Sequence, residues 1–74
     1  MPDEIPQTLT CRVNGERLSL PAGTTIADLL RERGWAGKRV AVERNGEIVP
    51  RSLYAQTALA EGDAIEVVVA VGGG

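Results

Sequence analysis

Two stretches near the amino terminus alternate between apolar and polar residues, the pattern of β-strands with one buried face. They span residues 8–13 and 17–20. The dipeptide Asn14-Gly15 lies between them and is preferred in tight type I′ turns. The pattern therefore predicts a β-hairpin. The side chains predicted to point inward are Leu9, Cys11, Val13, Leu18 and Leu20.

The next stretch has apolar residues at helical spacing, which predicts one helix beginning near residue 26. Thr25 precedes it as the expected N-cap, and Asp28 completes an approximate capping box. Gly34 is the expected residue just past the end of the helix. A helix of about two and a half turns must pack on the sheet to be stable. Its apolar stripe consists of Ile26, Leu29 and Leu30.

A second strand–turn–strand pattern begins at Val40, where valines alternate with mostly charged neighbours. Asn45-Gly46 predicts another tight turn, and residues 47–49 form a short return strand. Pro50 ends that strand, which suits the edge of a sheet.

The remaining segment is irregular before one more strand. Ser52 is predicted to cap a single helical turn that holds Leu53 and Tyr54, and residues 61–63 predict a turn. Residues 64–71 are apolar at almost every position. That composition is typical of a central strand covered on both faces.

The order of elements predicts an α+β fold, the ubiquitin-like β-grasp. It has a mixed sheet of about five strands, one main helix on one face, and a last strand that lies centrally and parallel to the first. The predicted domain spans residues 8–71. We expect residues 1–7 to form a flexible arm and residues 72–74 a free glycine tail.

Composition limits the function classes. The net charge is −2 and the cations are dispersed, which argues against a nucleic-acid partner. There is no histidine, and Cys11 is the only cysteine, so neither a disulfide nor a metal site is expected. No apolar run is long enough to span a bilayer, and no signal-peptide pattern is present, so we expect a cytoplasmic protein without a membrane partner.

Few side chains are candidates for chemistry, and no catalytic residue is assigned. Glu61 and Asp63 could form an acid–base pair, but solvated turn residues are the favoured interpretation. Cys11 is a nucleophile or a buried apolar side chain, and nothing nearby in sequence would lower its pKa, which favours the second. For Trp35 packing is favoured over a partner contact, and for Tyr54 both stay open.

The carboxyl-terminal glycines are the feature that composition does not explain. One interpretation of Gly72, Gly73 and Gly74 is a flexible terminus or a cloning remnant. The other is an extended segment without side chains that enters a narrow channel of a partner. Three extended residues reach about 10 Å. On the second interpretation the functional group is the terminal carboxylate of Gly74.

The sequence resembles the ThiS family, the sulfur carriers of bacterial thiamine biosynthesis. The resemblance covers residues 8–74 and is most specific in the segment EIVPRSLYAQTALAEGDAIEVVVAVGGG. Gly73 and Gly74 match the family's terminal pair. Gly72 is an extra glycine at a position where the family often has a small residue.

The resemblance implies a mechanism in which the chain is a carrier and not an enzyme. An E1-like adenylating enzyme (ThiF-like) would use ATP to convert the Gly74 carboxylate to an acyl-adenylate. A persulfide sulfur, supplied by a cysteine desulfurase or a sulfurtransferase, would displace AMP and leave a thiocarboxylate. Thiazole synthase (ThiG-like) would then take the sulfur. The carrier itself would bind no cofactor.

The sheet face left bare by the helix is the expected docking surface. Alternation assigns residues 65, 67, 69 and 71 to the helix side of the last strand. It places Val68 and Ala70 on the bare face, together with Arg12 of the neighbouring strand. An apolar patch of that kind marks an interaction site, unless strand ends or the N-terminal arm cover it.

Three alternatives remain at the level of sequence. The small subunit of molybdopterin synthase uses the same thiocarboxylate chemistry, and copurification with a large subunit would identify it. A ubiquitin-like protein modifier would appear as lysine-linked conjugates. A plain interaction module would show no chemistry at the tail.

Overall fold

A computed structural model describes residues 7–70, which form one five-stranded mixed sheet with one α-helix on one face. The strand order is β2-β1-β5-β3-β4. This arrangement confirms the predicted ubiquitin-like β-grasp. The elements are β1 (Thr8–Val13), β2 (Glu16–Pro21), α1 (Ile26–Glu32), β3 (Val40–Arg44), β4 (Glu47–Ile48), a 3₁₀ turn (Arg51–Leu53) and β5 (Ala64–Val69).

The first hairpin has the predicted register and turn. β1 and β2 are antiparallel, and their paired positions run from Thr8–Pro21 to Val13–Glu16. Both residues of the turn have positive φ, 52° at Asn14 and 85° at Gly15. Positive φ at both central positions is the requirement of a type I′ turn, which explains why this dipeptide occurs here.

The last strand is central, as predicted. β5 pairs in parallel with β1 at Arg12–Ala64 and Val13–Ile65. On its other side it is antiparallel to β3 along five residue pairs.

The prediction that β5 is covered on both faces was wrong. Glu66 and Val68 are exposed, whereas Ile65 and Val67 are buried. A single short helix covers only one face of the sheet. Val68 is therefore exposed to solvent and lies outside the buried core of residues 7–70.

Helix α1 has the predicted ends. The backbone N–H of Asp28 donates to Thr25 Oγ1, and the backbone N–H of Thr25 donates to Asp28 Oδ2, both at 3.1 Å. The hydrogen bond from the Thr25 N–H is the main cause that lowers the pKa of Asp28. Gly34 follows the C-cap with φ of 78°.

The core lies between α1 and one face of the sheet. Aliphatic side chains fill it, and Tyr54 is its one buried aromatic residue. Trp35 is partly buried and packs against the same cluster, as favoured from the sequence. The buried cluster consists of Leu9, Cys11, Val13, Leu20, Ile26, Leu29, Leu30, Val42, Tyr54, Leu59, Ile65 and Val67.

The segment after β4 differs from its prediction at one residue. The helical turn exists, but Ser52 does not cap it, because the turn begins at Arg51, two residues before the predicted start, with Pro50 at the N-cap position. The carbonyl groups of Tyr54 and Thr57 accept hydrogen bonds from Ala27 and Ile26, each at 3.0 Å. This segment thereby satisfies backbone donors in the first turn of α1, which otherwise have no helical partner.

Candidate functional site: the last strand and the bare face of the sheet

The position of β5 determines where the chain leaves the sheet. The last described contact is the hydrogen bond from the Ala70 N–H to the Arg39 carbonyl oxygen, at 2.9 Å. Gly72, Gly73 and Gly74, the residues predicted to enter a partner, lie outside the described residues, as does Val71. The predicted arm at residues 1–6 also lies outside them.

The side chain of Asn14 holds β5 from the β1 side. Its Oδ1 accepts from the Val67 N–H at 2.7 Å, and its Nδ2 donates to the Val67 carbonyl oxygen at 3.1 Å. The backbone N–H of Asn14 donates to the Ile65 carbonyl oxygen at 2.8 Å. Because β1 has already turned away at this point, the amide of Asn14 takes the place of the next residue of a paired strand.

Asn45 has the corresponding role on the other side of β5. Its Oδ1 accepts from the Ala64 N–H at 2.9 Å, and its backbone N–H donates to the Ala64 carbonyl oxygen at 2.8 Å. Its Nδ2 donates to Asp63 Oδ1 at 3.0 Å. Both tight turns therefore stabilise the strand that leads to the tail. Sequence reasoning recognised these asparagines as turn residues and missed their side-chain contacts with β5.

Asp63 is buried, although turn acids were expected to be solvated. Its Oδ2 accepts from the Ala60 N–H at 2.8 Å and lies 3.0 Å from Arg44 Nε. The companion acid, Glu61, is exposed and accepts from the Thr10 N–H at 2.9 Å. Each carboxylate is thus engaged in holding the turn before β5, which argues against an acid–base pair.

Cys11 is almost completely buried, with 1% of its surface exposed. Burial is the main cause that raises the pKa of its thiol, and the negative charges of Asp63 and Glu61 add to the shift. A thiol in this environment stays protonated and is a poor nucleophile. The structure therefore supports the interpretation of Cys11 as a core side chain.

The bare face of the sheet carries the residues predicted to dock a partner. Val68 has 66% of its surface exposed, and Ala70 and Arg12 are exposed on the same face. Arg12 pairs with Ala64, however, four residues before Val68 along β5. That separation is about 13 Å at the usual rise of a strand. The three residues lie on the same face of the sheet, but Arg12 is too far from Val68 to belong to the same small contact patch.

Other apolar side chains extend this face. Ala41 lies directly opposite Val68 on β3, and Ile48 of β4 has 65% of its surface exposed. The sequence missed both, because their placement depends on the register between β3 and its two neighbours. Exposed apolar side chains clustered on one surface are typical of an interaction site.

Within residues 7–70, no group of three His, Cys, Asp or Glu side chains could hold a metal ion. In the same part of the chain, no helix is long and apolar enough to cross a membrane.

The fold, with its central last strand and exposed sheet face, defines a ubiquitin-like β-grasp protein. The ThiS family model matches residues 5–74. The sulfur carrier protein ThiS of Bacillus subtilis is 41% identical over 64 residues, which cover 85% of this chain and 97% of that protein. The chain belongs to the ThiS family.

Two further comparisons agree with this assignment. The crystal structure of the thiamine biosynthesis protein ThiS from Geobacter metallireducens has a TM-score of 0.71 and 30% identity, and the match covers 89% of this chain and 100% of that one. A thiazole synthase of Paramagnetospirillum magneticum is 50% identical over 62 residues. The matched region covers 84% of this chain but spans only 19% of that synthase.

Proposed function

We propose that this protein is a sulfur carrier for the thiazole part of thiamine, and that the Gly74 carboxylate is the group that carries the sulfur. The observation that supports the proposal most directly is the family match, which extends to residue 74 and includes the terminal glycines. The chain contributes the carboxylate and the docking surface, and its partners perform the catalysis.

The proposed chemistry has three steps. An E1-like adenylating enzyme joins the Gly74 carboxylate to AMP and releases pyrophosphate from ATP. The terminal sulfur of a persulfide, on a cysteine desulfurase or sulfurtransferase, attacks the acyl carbon, and AMP leaves. A thiol then cleaves the resulting acyl disulfide, so that the thiocarboxylate stays on Gly74 and the thiol is oxidised to a disulfide.

The described part of the chain suits this role. β5 is held on both sides, by Asn14 at Val67 and by Asn45 at Ala64, and the Ala70 N–H donates to the Arg39 carbonyl oxygen. A tail attached to a strand that is hydrogen-bonded on both sides has a defined starting point. Three extended glycines then reach about 10 Å into a cleft that side chains could not enter.

The matches with thiazole synthases support the identity of the acceptor. In two of these enzymes a region of 62 residues resembles this chain, at 50% and 48% identity, and makes up 19% of each protein. The presence of a carrier-like region in the same chain as a thiazole synthase indicates that the carrier-like region and the rest of the enzyme act together. We therefore propose a ThiG-like synthase as the sulfur acceptor, a cytoplasmic location, and docking through Val68 and Ala70.

The proposal is tested by measuring the intact mass of the protein after reaction with ATP, a ThiF-like enzyme and a persulfide donor. The expected result is replacement of one oxygen by sulfur. Deletion of Gly74 should abolish the mass change while the far-UV circular dichroism and the free energy of unfolding stay unchanged. Deletion of Met1 is the matched control and should react normally. An unchanged mass for the wild-type chain, with an enzyme shown to be active on another carrier, would refute the proposal.

A further inference from the structure

The two sides of β5 are not paired along the same length. Toward β3 the pairing continues to Val69, and the Ala70 N–H then donates to the Arg39 carbonyl oxygen at 2.9 Å. Toward β1 the pairing ends at Ile65, because β1 turns away directly after that point. The end of β5 nearest the tail therefore has one paired side and one open side.

The backbone groups of alternate residues of β5 point to opposite neighbours. The Ala70 N–H donates toward β3. Backbone groups of Ile65 and Val67 instead bond Asn14, on the β1 side. Val69 continues this second set, so its N–H and C=O point to the β1 side, where residues 7–70 provide no hydrogen-bond partner for them. We call these two groups the open edge.

The side chain of Val69 is held although its backbone is open. It is partly buried and packs against the core cluster, as does its cross-strand partner Val40. The core thereby keeps the open edge in the conformation of a β-strand. An exposed strand edge of this kind accepts a further strand through main-chain hydrogen bonds.

The chain beyond the open edge indicates what covers it. Gly74 follows Val69 by five residues, which is about 17 Å of extended chain. If the three glycines lie inside an active site, they account for about 10 Å of that length. The rim of the site then lies within about 7 Å of Val69. Glycines offer a partner mainly backbone groups to recognise, so pairing between strands is the contact that suits this segment.

We propose that the enzyme which binds Gly74 pairs an extended segment of its own backbone with the open edge at Val69. The segment adds a strand to the sheet in the place that β1 leaves vacant beyond Asn14. The same pairing continues onto the tail and keeps it extended toward the active site. The inference rests on the proposed function, because the occupant is defined by its hold on the Gly74 carboxylate.

Amide hydrogen exchange of the full chain, measured residue by residue, tests the open edge with and without a ThiF-like enzyme. In the free chain the Val69 N–H should exchange about tenfold or more faster than the Val67 N–H, which donates to Asn14 Oδ1 at 2.7 Å. Binding of the enzyme should slow exchange at Val69 to a rate near that at Val67. Protection of Val69 in the free monomer, or no slowing in a complex shown to form, would overturn the inference.

A proline variant separates the N–H of Val69 from its side chain. Val69→Pro removes an N–H that the fold does not use, and proline is accepted in a strand whose N–H faces away from its neighbours. Val69→Ala is the matched control, since it shortens the side chain and keeps the N–H. The KM for sulfur loading should be about tenfold or more higher for Val69→Pro than for Val69→Ala. Equal KM values for the two folded variants would contradict the inference, and the exchange measurement decides it if the proline variant does not fold.

Two further results have a defined meaning. Protection of Val69 that appears only as the free chain dimerises would assign the open edge to a second copy of the chain and overturn the inference. The mass assay separates the inference from the proposed function. A wild-type chain that gains sulfur while Val69 stays unprotected in the complex refutes the strand pairing alone, whereas a chain that gains no sulfur refutes the proposed function.

Discussion

Asn14 and Asn45 each combine a turn conformation with a contact to a distant strand. Both have φ of 52°, a left-handed value that asparagine tolerates better than most residues. Glycine would tolerate it equally well but has no amide to bond β5. The side chains of Asn14 and Asn45 instead bond backbone groups of Val67 and Ala64, which are 53 and 19 residues away. At these two positions one residue type thus serves both local and long-range structure.

Replacement of Asn14 by glycine should separate the two roles. The variant Asn14→Gly keeps the turn, because glycine adopts positive φ, but leaves the N–H and C=O of Val67 without their side-chain partner. We expect the free energy of unfolding to fall by about 1–3 kcal/mol in urea titrations, the usual effect of leaving partly buried polar groups unpaired. Asn45→Gly should have an effect of similar size. A loss below about 0.5 kcal/mol for both variants, the range of ordinary surface substitutions, would show that the amides contribute little.

Helix α1 shows how a short element depends on its ends. The capping box of Thr25 and Asp28 satisfies donors in its first turn, and the segment around Tyr54 accepts hydrogen bonds from two others. One apolar stripe then packs the helix on the sheet. Neither the cap nor the stripe would stabilise seven residues alone, since isolated helices of this length do not persist in water.

The cap predicts a pH dependence. Because the pKa of Asp28 is lowered below its ordinary value of 3.8 in the folded protein, its ionised form stabilises the fold above that pH. This contribution should disappear as the pH falls through 3.8 and then through the lower pKa of the folded state. The wild type should therefore be more stable than Asp28→Asn near neutrality, and the difference should shrink in acid. Urea midpoints measured across this range test it, and a difference independent of pH would contradict it.

At the scale of the whole molecule, the two faces of the sheet differ in burial. One face packs on α1 and forms the core, whereas the other carries the exposed side chains of Val68 and Ala41. Val67 is therefore buried in the core, whereas the next residue of β5, Val68, is exposed on the other face. In such a small domain the single helix covers one face and leaves the second face of the sheet exposed.

The pair Val67 and Val68 makes this division measurable. Val67→Ala removes buried methyl groups and should lower the free energy of unfolding by about 1.5–3 kcal/mol. Val68→Ala should change it by less than about 1 kcal/mol, since only strand propensity is affected. In sulfur loading by the adenylating enzyme, Val68→Ala should have the larger effect of the two variants and should raise the KM. Equal losses of stability for the two variants would contradict the assignment of the faces.

The sequence alone determined the elements and the fold class. Asn-Gly turns, the Thr25 cap, strand alternation and the order of elements are signals within a few residues of one another, and local sterics and hydrogen bonding decide their outcome. The resemblance to the ThiS family was also readable from the chain. The assignment of Ser52 as a cap failed because the N-cap is Pro50, two residues earlier.

Only the tertiary structure decided which distant residues meet. The register of β1, β3 and β5 places Asn14 against Val67, buries Asp63 beside Arg44, and sets Glu43 opposite Glu66. It also showed that the apolar run of β5 is covered on one face only. A shift of one residue would exchange the two faces of a strand, and no local pattern carries that information. The register follows from burying one apolar face of every strand at once, which is a property of the whole molecule.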